Sequence, residues 1–91
     1  MLFSLTGANV IPMDTFRSRV TAAEERAMVE DAASVHMNTL RVWGGGAYPT
    51  DSFMAACDEL GILVWLEVMC GCALYPRDEA FLHTVRRFSR P

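Results

Sequence analysis

Ile62-Leu63-Val64-Trp65-Leu66 is apolar at every position and follows a helical pattern that Gly61 closes. A short apolar run without alternation marks a strand covered on both faces, as parallel sheets require. The helix before it carries Phe53, Cys57 and Leu60 at +4 and +3 spacing, one apolar face for one sheet. Pro49-Thr50-Asp51 opens that helix, and Gly61 stands where a left-handed terminus is expected. A parallel strand reached through a helix implies a right-handed crossover.

The same alternation fills the chain. Residues 3–8 read as a first strand and 9–20 as an irregular connection. Thr21-Ala22-Ala23-Glu24 has the spacing of a capping box, in which each side chain answers the other's backbone N–H. The helix it opens, about 22–36, carries Met28, Ala32 and Val35 on one stripe, with Glu25, Glu30 and Asp31 mainly off it. A second strand covers 39–43, a second helix 51–60 and a third strand 62–68. A third helix, about 77–88, has Asp78 and Glu79 in its first turn and Arg86 and Arg87 near its last, which complements the helix dipole. Its buried stripe is Phe81, Val85 and Phe88. The order βαβαβα defines an α/β chain. Periodicity alone does not separate a doubly wound sheet from a piece of a barrel.

Ninety-one residues, 52% of them hydrophobic, suit one packed unit spanning 1–91. A net charge of −3 and a pI near 5.2 give no footing for nucleic acid or an anionic membrane. The apolar run is far too short to span a bilayer, so no membrane insertion is expected. Met1-Leu2-Phe3 lacks the charged start and long apolar core of a signal peptide. Cys57 falls on an apolar helix face and reads as core. Cys70-Gly71-Cys72 is C-x-C rather than the C-x-x-C of redox or zinc sites, and no metal or cofactor is expected.

Arg41 and Trp43 stand where the second strand runs into Gly44-Gly45-Gly46. The carboxyl ends of strands are where α/β proteins handle ligands. An arginine in an apolar strand is expensive to bury unless a carboxylate or ligand answers it. Glu67, after five apolar residues, is the obvious partner, because acids are seldom buried alone. Three glycines either let backbone approach closely or take conformations that a Cβ forbids. Asn9 and Asp14 fall in the first strand's loop, where they reach a ligand or stabilise turns. Tyr48 and Tyr75 each adjoin a proline and either line a pocket or pin a loop. Trp65, inside its strand, reads as core.

Asn9-Val10-Ile11-Pro12-Met13-Asp14, Met37-Asn38-Thr39-Leu40-Arg41-Val42-Trp43-Gly44-Gly45-Gly46, Cys57 through Trp65 and Cys72-Ala73-Leu74-Tyr75-Pro76 resemble, in order and spacing, the start of the catalytic barrel of the β-mannosidases of glycoside hydrolase family 2. The resemblance covers roughly residues 3 to 85. It implies the first three βα units of a (β/α)8 TIM barrel, an incomplete barrel, since a complete one needs roughly 250 residues. The chain is then a fragment whose partner is the remainder of the parent barrel.

The activity implied is that of a retaining exo-β-mannosidase releasing terminal β-D-mannose from oligosaccharides and N-glycan cores, in a lysosomal or cytoplasmic enzyme. The resemblance makes Trp43 line the subsite for the non-reducing mannose, stacking on the sugar, and sets Arg41 near the nucleophilic carboxylate. The Arg41–Glu67 pair either holds two strands in register or orders that rim. Glu67 stands where the family has the aspartate of Trp-Gln-Asp-Phe, which touches sugar hydroxyls; here the carboxylate is one methylene longer. Val10 replaces a usual tryptophan and Cys70 a usual phenylalanine. The substrate-binding candidates are Trp43, Arg41, Glu67 and Asn9. Retaining glycosidases use two carboxyl groups roughly 5–5.5 Å apart. In this family they follow the fourth and seventh strands, the acid/base within an Asn-Glu pair that this sequence lacks. No catalytic residue is expected in this chain, and the chain alone should be inactive. The alternatives are a non-catalytic carbohydrate-binding or interaction remnant and another family 2 exo-glycosidase, a β-glucuronidase or β-galactosidase. The Trp-Gly-Gly-Gly block speaks against the last.

Overall fold

The computed structural model describes residues 2–88, so Met1 and residues 89–91 of the expected unit lie outside the described residues. Strands β1 (Gly7–Val10), β2 (Thr39–Val42) and β3 (Leu63–Leu66) lie side by side in chain order, all parallel. Helices α1 (Ala22–Ser34) and α2 (Asp51–Leu60) form the crossovers, and α3 (Glu79–Phe88) follows β3. The register sets Asn9, Arg41 and Trp65 level with one another, and Val10, Val42 and Leu66 level one step further on. Successive residues of a strand point to opposite faces, so Leu40 and Val42 share one face while Asn9, Arg41 and Trp65 share the other.

Helices α1 and α2 cover the apolar face. Val29, Ala32, Leu40, Val42, Phe53, Ala56, Cys57 and Ile62 form the core, with Val10, Met28 and Val64 packed against it. Full burial of each large side chain contributes roughly 1.5–3 kcal/mol. The capping box is made: Thr21 Oγ1 accepts from the Glu24 N–H at 3.2 Å, and Glu24 Oε2 accepts from the Thr21 N–H at 2.8 Å. Thr50 caps α2 by accepting from the Phe53 N–H at 3.2 Å, and Gly61 ends that helix at φ 70°. The span 51–60 read from sequence matches α2 at both ends.

Four readings are corrected. Pairing in β1 covers residues 7–10 rather than 3–8, which moves Asn9 from a loop into the strand. The Asn38 side chain is the reason: it accepts from the Thr6 N–H and donates to the Ser4 carbonyl, both at 2.8 Å, and so stands in for a strand partner before the ladder begins. Helix α1 ends at Ser34, not 36; the turn through His36 at φ 63° leaves Val35 exposed, and Val29 fills the stripe instead. β3 is not covered on both faces, and Trp65 is 58% exposed rather than core, because no element among the described residues packs on the face that carries Asn9 and Arg41. Finally, α3 starts at Glu79, with Asp78 accepting from the Phe81 N–H at 2.9 Å, and buries no residue. Its rings engage loops instead of the sheet: Phe88 stacks on Tyr48 with centroids 5.1 Å apart, and Phe81 on Tyr75 at 6.1 Å.

Candidate active-site rim

Arg41 links all three strands at their carboxyl ends. Its Nη1 donates to Asn9 Oδ1 at 2.8 Å, its Nη2 donates to Glu67 Oε1, and its guanidinium lies 5.9 Å from the centre of the Trp65 ring, within reach of a cation–π contact. The other carboxylate oxygen, Glu67 Oε2, accepts from the Gly44 N–H at 2.8 Å. The Glu67 N–H continues the ladder to the Val42 carbonyl at 3.2 Å, which fixes where this side chain leaves the sheet. The Gly44 N–H bond, and then the Arg41 guanidinium beside it, hold the Glu67 carboxyl below its ordinary value against partial desolvation. Glu67 is therefore an ionised acceptor rather than a proton donor.

Room, not unusual backbone, explains the glycines. None of Gly44, Gly45 and Gly46 has positive φ, so that part of the expectation is corrected. A Cβ on Gly44 would sit 2.8 Å from the Val68 carbonyl oxygen and 3.0 Å from Glu67 Oε2. A Cβ on Gly45 would fall 2.3 Å from the Trp43 ring, which lies across it. Trp43 is half-buried and belongs to a cleft of about 440 Å³ with Pro12, Asp14 and Arg17. That cleft is not lined by Asn9, Arg41 or Glu67. The structure thus joins three of the four candidate residues directly and sets Trp43 beside them across the glycine turn.

The sequence reading missed the places of Trp65 and Glu25, whereas the loop-pinning reading of Tyr48 and Tyr75 holds. Trp65 flanks Arg41 because the register makes them neighbours, which no local pattern reveals. Tyr48 and Tyr75 pin loops: Tyr48 Oη accepts from the Met69 N–H at 3.2 Å, and Tyr75 Oη donates to the Gly71 carbonyl at 3.1 Å. Glu25 Oε2 accepts from the hydroxyls of Thr50 and Ser52, tying α1 to the start of α2. Its spacing of three and seven to Met28 and Ala32 was the signal that it points inward. A second cavity of about 410 Å³ lies between the first and second strand-to-helix loops, lined by Asp14, Arg17, Glu25, Tyr48 and apolar side chains. Arg17 crosses its edge to donate to the Tyr48 carbonyl at 2.8 Å. Among the described residues no group of three or more His, Cys, Asp or Glu side chains is placed to hold a metal ion.

A parallel βα layer with a charged, aromatic-flanked rim at its strand ends has the organisation of an α/β enzyme's ligand-handling edge. The comparisons make the class particular. The chain is 50% identical over 82 residues to a β-mannosidase of Bos taurus, covering 90% of this chain and 9% of that protein. It is 43% identical over 83 residues to a β-mannosidase B of Aspergillus clavatus, covering 91% of this chain and 10% of the relative. The crystal structure of a β-D-mannosidase from Dictyoglomus thermophilum superimposes with a TM-score of 0.84 at 47% identity, over 91% of this chain and 10% of that one. No family model matches. The resemblance to β-mannosidases read from four sequence blocks therefore holds in sequence and in fold, over a chain spanning about a tenth of its relatives' length.

Proposed function

We propose that this chain supplies the first three βα units of the (β/α)8 catalytic barrel of a retaining, exo-acting family 2 β-mannosidase, and that Asn9, Arg41, Glu67 and Trp43 belong to the rim that binds terminal β-D-mannose. The observation that carries this reading is the Asn9–Arg41–Glu67 cluster at the ends of three parallel strands, in a chain 47% identical to a solved β-D-mannosidase. Each Glu67 oxygen has one protein donor and keeps a further lone pair for a sugar hydroxyl. Arg41 supplies fixed positive charge where a nucleophilic carboxylate would stand, and Asn9 aims it. Trp43 offers a flat apolar face to the sugar ring.

Hydrolysis with retention needs a carboxylate nucleophile and a carboxylic acid/base. Glu67 is held ionised by two donors, which suits neither proton donation nor free attack on a sugar carbon. Both catalytic groups come from outside these residues, and the 91-residue chain binds without turning over. The test is to replace the corresponding segment of the Dictyoglomus thermophilum β-D-mannosidase with this chain. The expected chimera folds and hydrolyses an aryl β-mannoside, and Trp43→Ala in it lowers kcat/KM by roughly a hundredfold through lost orientation. A folded but inactive chimera, or a Trp43→Ala variant with unchanged kinetics, sinks the assignment.

A further inference from the structure

Three observations meet at Gly71. Its N–H donates to the Gly44 carbonyl at 2.9 Å, and its own carbonyl accepts from Tyr75 Oη at 3.1 Å, so the residue is held from both sides. The residues flanking it, Cys70 and Cys72, are both exposed free thiols. Cys72 has φ 64°, a left-handed backbone that residues with side chains rarely take. Such outliers persist where surrounding structure holds them, and they gather at functional loops. The third thiol, Cys57, is 1% exposed in the core, and burial pushes it up, with Asp58 adding to the effect. It is the inert cysteine of the three.

We propose that Cys70 and Cys72 form a dithiol–disulfide pair that exchanges with a low-molecular-weight disulfide such as oxidised glutathione, and that closing the ring around Gly71 is felt at Gly44 and through it at Glu67. Two trans peptide links limit the Cα separation of residues two apart to about 7.6 Å, and a modest bend brings it inside the disulfide window of about 4.4–6.8 Å. Gly71 places no side chain between the two sulfurs. The chemistry balances as two exchanges. One cysteine thiolate attacks a sulfur of the small disulfide, whose S–S bond breaks to release one small thiol. The second thiolate then attacks the cysteine sulfur of the mixed disulfide and expels the other small thiol. The pair gives up two electrons and two protons, and the small disulfide is reduced to two thiols.

Coupling to the rim follows from the hydrogen bonds. Ring closure reorients the peptide groups on either side of Gly71, and one of them donates to the Gly44 carbonyl. The Gly44 N–H is in turn the donor that holds Glu67 Oε2. A change at residues 70–72 thus reaches the carboxylate of the rim through two hydrogen bonds.

The whole 91-residue chain, at low micromolar concentration, is incubated with oxidised glutathione, quenched by acid and alkylation, and mapped by peptide mass. The expected product carries a Cys70–Cys72 link two hydrogens lighter than the dithiol. It exceeds the doubly glutathionylated chain by about tenfold or more, because the second exchange is intramolecular. Cys57 stays unmodified, and Cys70→Ser and Cys72→Ser chains take up one glutathione and close no ring. In the wild-type sample the Gly44 amide resonance shifts on oxidation and returns on reduction, whereas in the Cys70→Ser sample, which closes no ring, it lacks that shift. Two stable glutathione adducts per chain, a link to Cys57 or an interchain disulfide overturns the pair. A Gly44 amide that stays in place while the 70–72 link forms overturns the coupling.

Discussion

At the scale of single residues, two glycines one position apart should respond differently to the same methyl group. At Gly45 the obstacle is the Trp43 indole, the far end of a side chain that swings aside. Gly45→Ala should therefore move the Trp43 fluorescence in a Trp65→Phe background while changing stability by less than about 1 kcal/mol. At Gly44 the obstacle is the Val68 carbonyl, which is backbone and moves only with the third strand's end. Gly44→Ala should cost about 1–3 kcal/mol in a denaturant melt and release the Glu67 carboxylate; equal effects at the two positions would refute the distinction. Glu67 also has a pH signature. Its folded carboxyl lies below the ordinary value of 4.5, so its stabilisation is present above that value and is lost as pH falls through the folded midpoint. Glu24 shares this sign through the Thr21 N–H, so the check is the difference between wild type and Glu67→Gln. That difference should be constant near neutrality and shrink in acid. The Arg41–Glu67 pairing was legible because two charges stood in apolar strands. The places of Asn9 and Trp65 were not, because both depend on register between strands, which no single segment encodes.

At the scale of elements, caps and glycine termini read correctly wherever the signal was local, as at Thr21, Thr50 and Gly61. The failures came where partners distant in sequence decide: Asn38 sets the start of β1, and the ring contacts of Phe81 and Phe88 draw α3 onto loops. Thr50 tests the balance between local and distant roles. It caps α2 through the Phe53 N–H and also donates to Glu25 on α1. Thr50→Ala should cost about 1 kcal/mol for the cap alone, and more if the contact to Glu25 counts. Thr50→Ser retains a hydroxyl for both and should restore most of the loss. In a Glu25→Ala background, which removes the acceptor, the Thr50→Ala penalty should fall toward the cap value, since neighbouring sites that share a partner are not additive. An unchanged penalty there would reduce the α1–α2 link to a bystander.

At the scale of the whole molecule, the continuous apolar run of β3 and its actual surroundings pull in different directions. Leu63, Trp65 and Leu66 are 51%, 58% and 45% exposed, and β3 has a hydrogen-bonded neighbour on one side only among the described residues. The sheet face opposite α1 and α2 holds a cluster of charge and aromatic surface with nothing packed on it among the described residues. An open, apolar strand edge is a template for pairing with another chain. The 91-residue chain should therefore associate as its concentration rises, with a sedimentation profile that shifts from monomer to larger species. Leu63→Lys should suppress this, because a charge on an edge strand opposes both pairing and burial. Leu63 makes none of the Asn9–Arg41–Glu67 hydrogen bonds and pairs with Thr39, two residues before the level of Arg41, so the rim should survive the change, as read by the Gly44 amide. Association that persists undiminished in Leu63→Lys would move the sticky surface elsewhere, to α3 or the loops. A chain that stays monomeric at every concentration and melts in one sharp transition would mean that three strands and two packed helices suffice, and that the exposed strand is no liability.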